Sequence, residues 1–407
     1  VIREKTDAVR TALARRGDVP DDAIDRVLDS DRRWRELTQE LETLRAQQNQ
    51  LSRGRRGAPS PAEREQLTAL AARGRELTDQ ATSASQQLEQ QLAALPNIPS
   101  GDAPDADTVL REVGQAGASG RDHLELAGGM IDMERGAALS GSRFAYLRGD
   151  MVLLEMALMR YAVGKLVALG FEPVMPPVLV RERALYGTGM WPDSEEQIYQ
   201  LPADELLLVG TAEVPLASLH RDEILAAEEL PLRYAGLSSC FRREAGAAGK
   251  DTRGIFRVHQ FEKLEMFEFV DPAHSAEEHE RILAIEESIL QDLEIPYRVV
   301  AIAVDDLGSS AAKKYDCEAW MPGQQRYREV TSCSNTTDFQ ARRLEIRMRP
   351  AGGGRPQTLH TLNGTAATWR HMIAILENGQ QDDGSVVIPK VLVDAGAPAV
   401  LRAPETA

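Results

Sequence analysis

SSCFRREAGAAGKDTRGIFRVHQFEKLEMFEFV, residues 238–270, is the stretch that decides the fold. Its second half (255–270) has a period of two: Phe261, Lys263, Glu265 and Phe267 fall on one face, Glu262, Leu264 and Met266 on the other. Phe241-Arg242-Arg243-Glu244 and a Gly/Ala-rich connection come first, so the segment reads as a strand pair joined by a flexible loop. A face carrying a cation, a carboxylate and aromatic rings is not an ordinary core face. Ion pairs across a solvated sheet would produce the same pattern, so the neighbouring segments decide between the two.

Working outward, strand-like runs occur at 206–209, 255–258, 264–270, 297–304 and 344–348. Residues 151–170 read as a largely apolar helix stopped by Gly170, and 171–180 (FEPVMPPVLV) as an extended segment with three prolines. Many short strands with few helices between them predict an α+β domain built on a mainly antiparallel sheet. Residues 328–332 place Glu329 on a strand with Ser332 three positions on, both oxygen donors suited to Mg2+. Small residues at 363–368 lead into a helix with Arg370 near its start, a place to seat an anion. GAAGKD (246–251) is too short for a P-loop and has Asp251 where Ser or Thr is needed; no GxGxxG follows a strand.

Toward the N-terminus the pattern changes. Val27, Trp34, Leu37, Leu41, Leu44 and Leu51 keep a three–four spacing, as do Leu67, Leu70, Leu77, Ala81, Ala84, Leu88 and Leu95. The glycine- and proline-bearing SRGRRGAPSP (52–61) separates the two runs. This predicts an antiparallel coiled-coil hairpin of two helices, each about 24–28 residues, or roughly 36–42 Å. Between Arg45 and Arg75 the arm carries seven arginines (Arg45, Arg53, Arg55, Arg56, Arg64, Arg73, Arg75) against Glu63 and Glu65, net +5 in a chain of net −16. A solvated helical face and a phosphate-contacting arm for structured RNA both fit that charge. A turn-rich linker (96–107) leads into the second domain, which gives expected domains of 1–99 and 100–407.

Composition narrows the class. At 407 residues, with 43% hydrophobic and 27% charged residues, two globular domains are expected and disorder is excluded. The longest apolar stretch is interrupted by Glu155, so no membrane partner is expected. Three cysteines (Cys240, Cys317, Cys333) without CxxC spacing predict buried small residues, a reducing cytoplasmic home and no zinc. The chain starts at Val1 without a leader pattern, and a short preceding piece is expected.

VGTAEVPL (209–216), the 238–267 segment, YREVTSCSN (327–335), DFQARR (338–343) and the 361–378 segment TLNGT…R…AILEN, taken in order, resemble the seryl-tRNA synthetases of the bacterial type. The likeness runs through nearly all of the second domain, and that family carries a tRNA-binding coiled coil where the arm stands. It implies a class II synthetase domain, a homodimer formed through 151–180, and a two-step reaction. Serine and ATP give seryl-adenylate, and the seryl group then passes to the 3′-end of tRNA(Ser), with tRNA(Sec) as a further acceptor. It further implies that Arg242 bridges the serine carboxylate and the α-phosphate, with Arg243 beside it. Glu244 accepts from the adenine amino group, Phe261 stacks on adenine and Val258 lies alongside. Arg257 and Arg370 hold the outer phosphates; Glu329 and Ser332, with Val330 and Thr331 between them, hold Mg2+ and the α-phosphate. Serine would sit against Thr211-Ala212-Glu213, with Glu213 on the ammonium, Glu265 and Thr365 on the hydroxyl, and Asn363 orienting them. A pocket lined this way rejects alanine by leaving polar groups unpaired. His259, by contrast, is expected to be structural.

Two positions depart from the family pattern: Thr336 stands where Cys is usual, and bulky Trp369 precedes Arg370 in a stretch one residue short. Two other functions fit part of the pattern: an adenylating enzyme that loads serine onto a carrier protein or serves a biosynthetic or resistance role, and an inactive RNA-binding paralogue. The basic arm speaks against the first and the intact Arg242, Glu244, Glu329, Ser332 and Arg370 against the second.

Overall fold

A computed structural model describes residues 1–52, 60–192, 194–246, 249 and 251–404. It divides into two compact units, Val1–Ile98 and Pro99–Ala407.

The first unit is helical: α1 (Thr6–Ala14), α2 (Ala23–Ser52) and α3 (Pro61–Ala93). At 30 and 33 residues, α2 and α3 outrun the expected 24–28: α2 begins four residues before Val27, where Ala23 and Ile24 pack with α1, and α3 begins six residues before Leu67, next to its cap Ser60. Ser60 starts α3 with a capping box: its side chain accepts from Glu63 N, Glu63 accepts from Ser60 N, and Pro61 occupies the first turn. The seam contains Leu37, Leu41, Leu44, Leu77, Ala81 and Ala84, flanked by Trp34 and Leu70. Gly74 lies in it, where a Cβ would stand a tight 3.3 Å from Leu44 Cδ2. Val27 and Leu95 belong to a separate cluster with Val9 and Leu13 of α1, a helix that the heptad reading did not include.

The second unit is built on an eight-stranded sheet. In chain order its strands are β1 (Thr108–Val113), β2 (Glu172–Val174), β3 (Leu232–Phe241), β4 (Gln260–Val270), β5 (Tyr297–Ala301), β6 (Lys313–Met321), β7 (Arg326–Thr337) and β8 (His360–Thr368). Their spatial order is β1-β5-β6-β7-β8-β4-β3-β2, antiparallel throughout except for the edge pair β2–β3. One face of the sheet packs α4 (Asp150–Ala168) and α6 (Ser275–Asp292) on a large apolar core that includes Leu264, Met266, Ile282, Leu290 and Leu362. Phe267 and Phe269, on the opposite face of β4, pack in a second cluster with Ala212 and Leu216 of the short helix α5 (Glu213–Ala217) and its cap. The alternation read along β4 is therefore kept.

Three strand expectations change. Residues 255–258 are irregular rather than a strand: the chain crosses beneath the cavity there, with Ile255 N donating to His123 Nε2 at 3.2 Å. The 297–304 run stops as a strand at Ala301 and turns into a short 3-10 helix from Val304. Leu344 caps the helix α7 (Phe339–Arg343), so the strand expected at 344–348 is Arg347–Arg349.

Candidate active site

A cavity of about 420 Å³ opens at the end of β3 and on the face of β4, β6, β7 and β8 away from α6, and closes with α8 (Trp369–Asn378). Its walls bring together Thr211, Glu213, Arg242, Glu244, Arg257, Val258, Phe261, Glu265, Glu329, Val330, Ser332, Asn363, Thr365 and Arg370, parts of the chain up to about 160 positions apart.

Two bulges set the strand faces. On β7, Glu329 pairs with Glu318 and Thr331 with Cys317, so Val330 is an extra residue. The skipped position turns Glu329 and Ser332, which strict alternation would put on opposite faces, toward one cavity. On β8, Thr365 pairs with Glu265 and Ala367 with Leu264; Ala366 is extra, so Thr365 and Thr368 both line the cavity.

At one end lies a largely buried cluster of charges. Glu213 Oε1 accepts from Gln340 Nε2 (2.7 Å) and Asn363 Nδ2 (3.0 Å). Glu265 is ion-paired with Lys263, which also reaches Thr211 Oγ1 at 3.4 Å. Burial raises the carboxyls of both glutamates, that of Glu265 to about 7; Lys263 opposes the shift and, for Glu265, the neighbouring Glu213 adds to it.

Arg242 spans the middle: its Nε donates to Gly210 O at 3.2 Å, and its guanidinium stands 5.2 Å from the centre of the Phe261 ring. His259 supports it from behind, its Nδ1 2.8 Å from Arg242 O, and does not line the cavity.

At the far end, Arg257 Nη1 donates to Glu244 Oε2 at 2.6 Å, and Glu244 holds a left-handed φ of 51°. Arg370 contacts both the backbone carbonyl (3.1 Å) and the carboxylate (3.2 Å) of Glu329. Desolvation works against it, yet Arg370, Lys314 and Arg242 keep Glu329 below the ordinary carboxylate range. Asp316, paired with Ser332 across the strands, has a buried Oδ1 without a hydrogen-bond partner.

Three expected site residues do not line the cavity. Arg243 is exposed and does not line the cavity; its N–H donates to Gln197 O. The Ala212 side chain belongs to the cluster under α5. Thr331 faces away from the cavity, because the bulge at Val330 returns the next residue to the α6 side, where its hydroxyl meets Glu286. The expected arm residues Arg53, Arg55 and Arg56 lie outside the described residues. Arg45, Arg64, Arg73 and Arg75 are exposed on α2 and α3, and Arg73 is ion-paired with Glu40 and Glu76.

Further residues belong to the site. Phe256 has two guanidiniums near its ring, Arg328 at 3.6 Å and Arg370 at 4.5 Å from its centre, and Arg328 is held by both oxygens of Asp251. Nothing in the spacing marked this grouping, since 256 fell in a run expected to be a strand. Gln340 stood in the quoted DFQARR, and only the fold brings it to Glu213. Thr336 is fully buried behind the site: its hydroxyl donates to Thr361 O (2.7 Å), and Thr361 donates to Gln340 Oε1 (2.9 Å). Trp369 does line the cavity, with its Nε1 bonded to Glu155. The three cysteines are free and buried.

Arg242 beside the Phe261 ring at the end of an antiparallel sheet, with Glu329 and Ser332 on β7 facing the same cavity, is the site of a class II aminoacyl-tRNA synthetase core: a model of the tRNA synthetase class II core domain (G, H, P, S and T) matches residues 198–379. The seryl-tRNA synthetase N-terminal domain matches 1–99, and the chain belongs to the seryl-tRNA synthetase family. It is 50% identical to the serine–tRNA ligase of Thermobifida fusca, covering 96% of this chain and 95% of that one, and 48% identical to that of Mycobacterium avium, covering 97% and 95%. The crystal structure of seryl-tRNA synthetase from Pyrococcus horikoshii, complexed with ATP, superposes with a TM-score of 0.94 at 40% identity over 99% of both chains. The cytoplasmic enzyme of Naegleria fowleri, in complex with AMP, gives 0.88 at 30% identity over 98% and 96%. Neither the carrier-loading nor the inactive reading finds support among these relatives. Among the described residues no helix is long and apolar enough to cross a membrane.

Proposed function

We propose that the cavity carries out both steps of serine–tRNA ligation, with serine at the Glu213–Glu265 end and ATP at the Phe261–Glu244 end. The chain's activity is that of a serine–tRNA ligase. The observation that supports this division is that Arg242 stands 5.2 Å from the centre of the Phe261 ring and also acts electrostatically on the buried Glu213 and Glu265. In the first step a serine carboxylate oxygen attacks the α-phosphorus and the bond to the β-phosphate breaks, releasing pyrophosphate. Both reactants are anions, so fixed positive charge and alignment accelerate the step more than a base would. Arg242 bridges the two anions, Arg257 and Arg370 take the outer phosphates, and Glu244 accepts from the adenine amino group. Glu213 receives the serine ammonium, while Glu265 and Thr365 receive its hydroxyl. In the second step the terminal hydroxyl of tRNA attacks the carbonyl carbon and AMP leaves.

The donor set suits a divalent cation: two oxygen ligands turned to one face, and the unpartnered Asp316 Oδ1 beside them. Glu329 and Ser332 would hold Mg2+, which supplies charge neutralisation for the phosphates. The arm arginines contact the tRNA backbone, with domains of 1–99 and 100–407 dividing binding from chemistry. A homodimer explains the apolar residues that α4 and its flank leave exposed, among them Leu153, Met156, Val167 and Met175. The compartment is the cytoplasm.

The test is serine-dependent ATP–pyrophosphate exchange run beside tRNA charging with Ser, Thr and Ala. Exchange and charging with serine alone support the assignment. Serine activity in neither assay overturns it.

A further inference from the structure

We propose that Glu286, on the opposite side of the sheet from the cavity, is a positioning residue for serine selection: it wedges open the fork between β7 and β8 and thereby sets where Thr365 stands. The proposal rests on Thr365 contacting the serine hydroxyl. β7 and β8 pair from Thr337↔Thr361 to Cys333↔Gly364, and the ladder stops there, one residue short of Thr365. A backbone N–H that leaves a ladder inside a core needs another acceptor. Glu286 Oε1 is that acceptor, 2.9 Å from Thr365 N. Its other oxygen accepts from the Thr331 hydroxyl at 2.8 Å. One carboxyl group, completely buried on α6, thus ties together both prongs of the fork. Thr365 is the residue just before the β8 bulge, and Thr331 the residue just after the β7 bulge.

The close approach of α6 is built in. At Gly364 a Cβ would stand 2.4 Å from Ile282 and 2.9 Å from Glu286 Oε1, so only glycine lets the helix carry its carboxyl to the strand. Burial also drives the Glu286 carboxyl well above its ordinary range, with the Thr331 and Thr365 hydrogen bonds opposing. A neutral group in this place makes glutamine a close substitute: its carbonyl accepts from Thr365 and its amide donates to Thr331.

The experiment compares Glu286→Ala, Glu286→Gln and Thr365→Ala in the full chain, measuring KM and kcat of ATP–pyrophosphate exchange for serine and alanine, on protein whose folded fraction is known from its melting curve. Glu286→Ala is expected to reduce the serine-over-alanine ratio of kcat/KM by about tenfold or more, mainly through KM for serine, and Glu286→Gln to restore it to within about threefold. A merely structural role would lower the amount of active enzyme and leave that ratio alone. An unchanged ratio in folded Glu286→Ala, while Thr365→Ala relaxes it, overturns the wedge and spares the serine contact. An unchanged ratio in Thr365→Ala overturns the contact and the wedge with it. Should Glu286→Ala not fold, Thr331→Val removes one of the two ties, and the same ratio decides.

Discussion

Glu329 and Ser332 stand three positions apart on one strand and yet open onto one cavity, because Val330 is the extra residue of a bulge between them. If the pair holds Mg2+ for ATP, each change should weaken the apparent affinity for the ion. Glu329→Gln and Ser332→Ala are expected to raise the Mg2+ concentration for half-maximal exchange by about 10- to 100-fold, the range for loss of a metal ligand or its support. Titrating MgCl2 at fixed ATP measures this. An unshifted midpoint in both variants would place the ion elsewhere.

That bulge also marks what a sequence can and cannot carry. The alternation of β4 was legible because every second residue from Phe261 to Phe267 kept its face, and the heptads of α2 and α3 were legible because Leu recurs at regular steps. Glu329 and Ser332 were legible as donor types, while their common face was not: period two assigns them to opposite sides, and the extra residue is visible only in the pairing with β6. Phe256 was missed for a related reason, since its run has strand composition but no partner strand. Glu286 reads as an ordinary position on an amphipathic helix until α6 is seen against Gly364.

The 2.6 Å ion pair between Arg257 and Glu244 leads to a second prediction. In the proposed complex these groups turn to different parts of ATP, so each partner should fail in its own way. Arg257→Ala is expected to raise KM for ATP by about 10- to 100-fold, the cost of a lost charge-assisted contact to phosphate. Glu244→Ala should instead erode the preference for ATP over GTP by about tenfold, since only the adenine contact is removed. Initial rates with both nucleotides separate the effects, and identical profiles for the two variants would contradict the division.

Glu265 supplies a pH prediction. Its carboxyl is raised by burial from an ordinary value of 4.5 to about 7, so around neutrality it is divided between two forms. Only the ionised form accepts fully from the serine hydroxyl, and kcat/KM for serine should rise with pH through an inflection near this value. Stability runs the other way. The folded chain keeps this proton in the interval where the unfolded chain has lost it, so the group's contribution is full below the unfolded value and falls away as pH passes about 7. Glu265→Gln should remove the inflection and lower kcat/KM about 10- to 100-fold. An inflection that survives in the glutamine variant belongs to another group.

The arm gives the last prediction, and its charge makes it quantitative. Each arginine bound to a phosphate releases condensed counterions, so removing contacts flattens the salt dependence as well as weakening binding. Arg53→Ala, Arg55→Ala and Arg56→Ala, combined, should reduce the slope of log affinity against log salt by about 2–3 if all three touch phosphate. Arg73 is already committed to Glu40 and Glu76, so a tRNA phosphate has to displace two carboxylates before that side chain contributes. Arg73→Ala should therefore change the slope less than any of the three. Serine-dependent exchange should be unaltered in all of these variants, because no tRNA takes part in adenylate formation. A loss of exchange equal to the loss of charging would mean that the arm supports the fold of the catalytic unit rather than the capture of its second substrate.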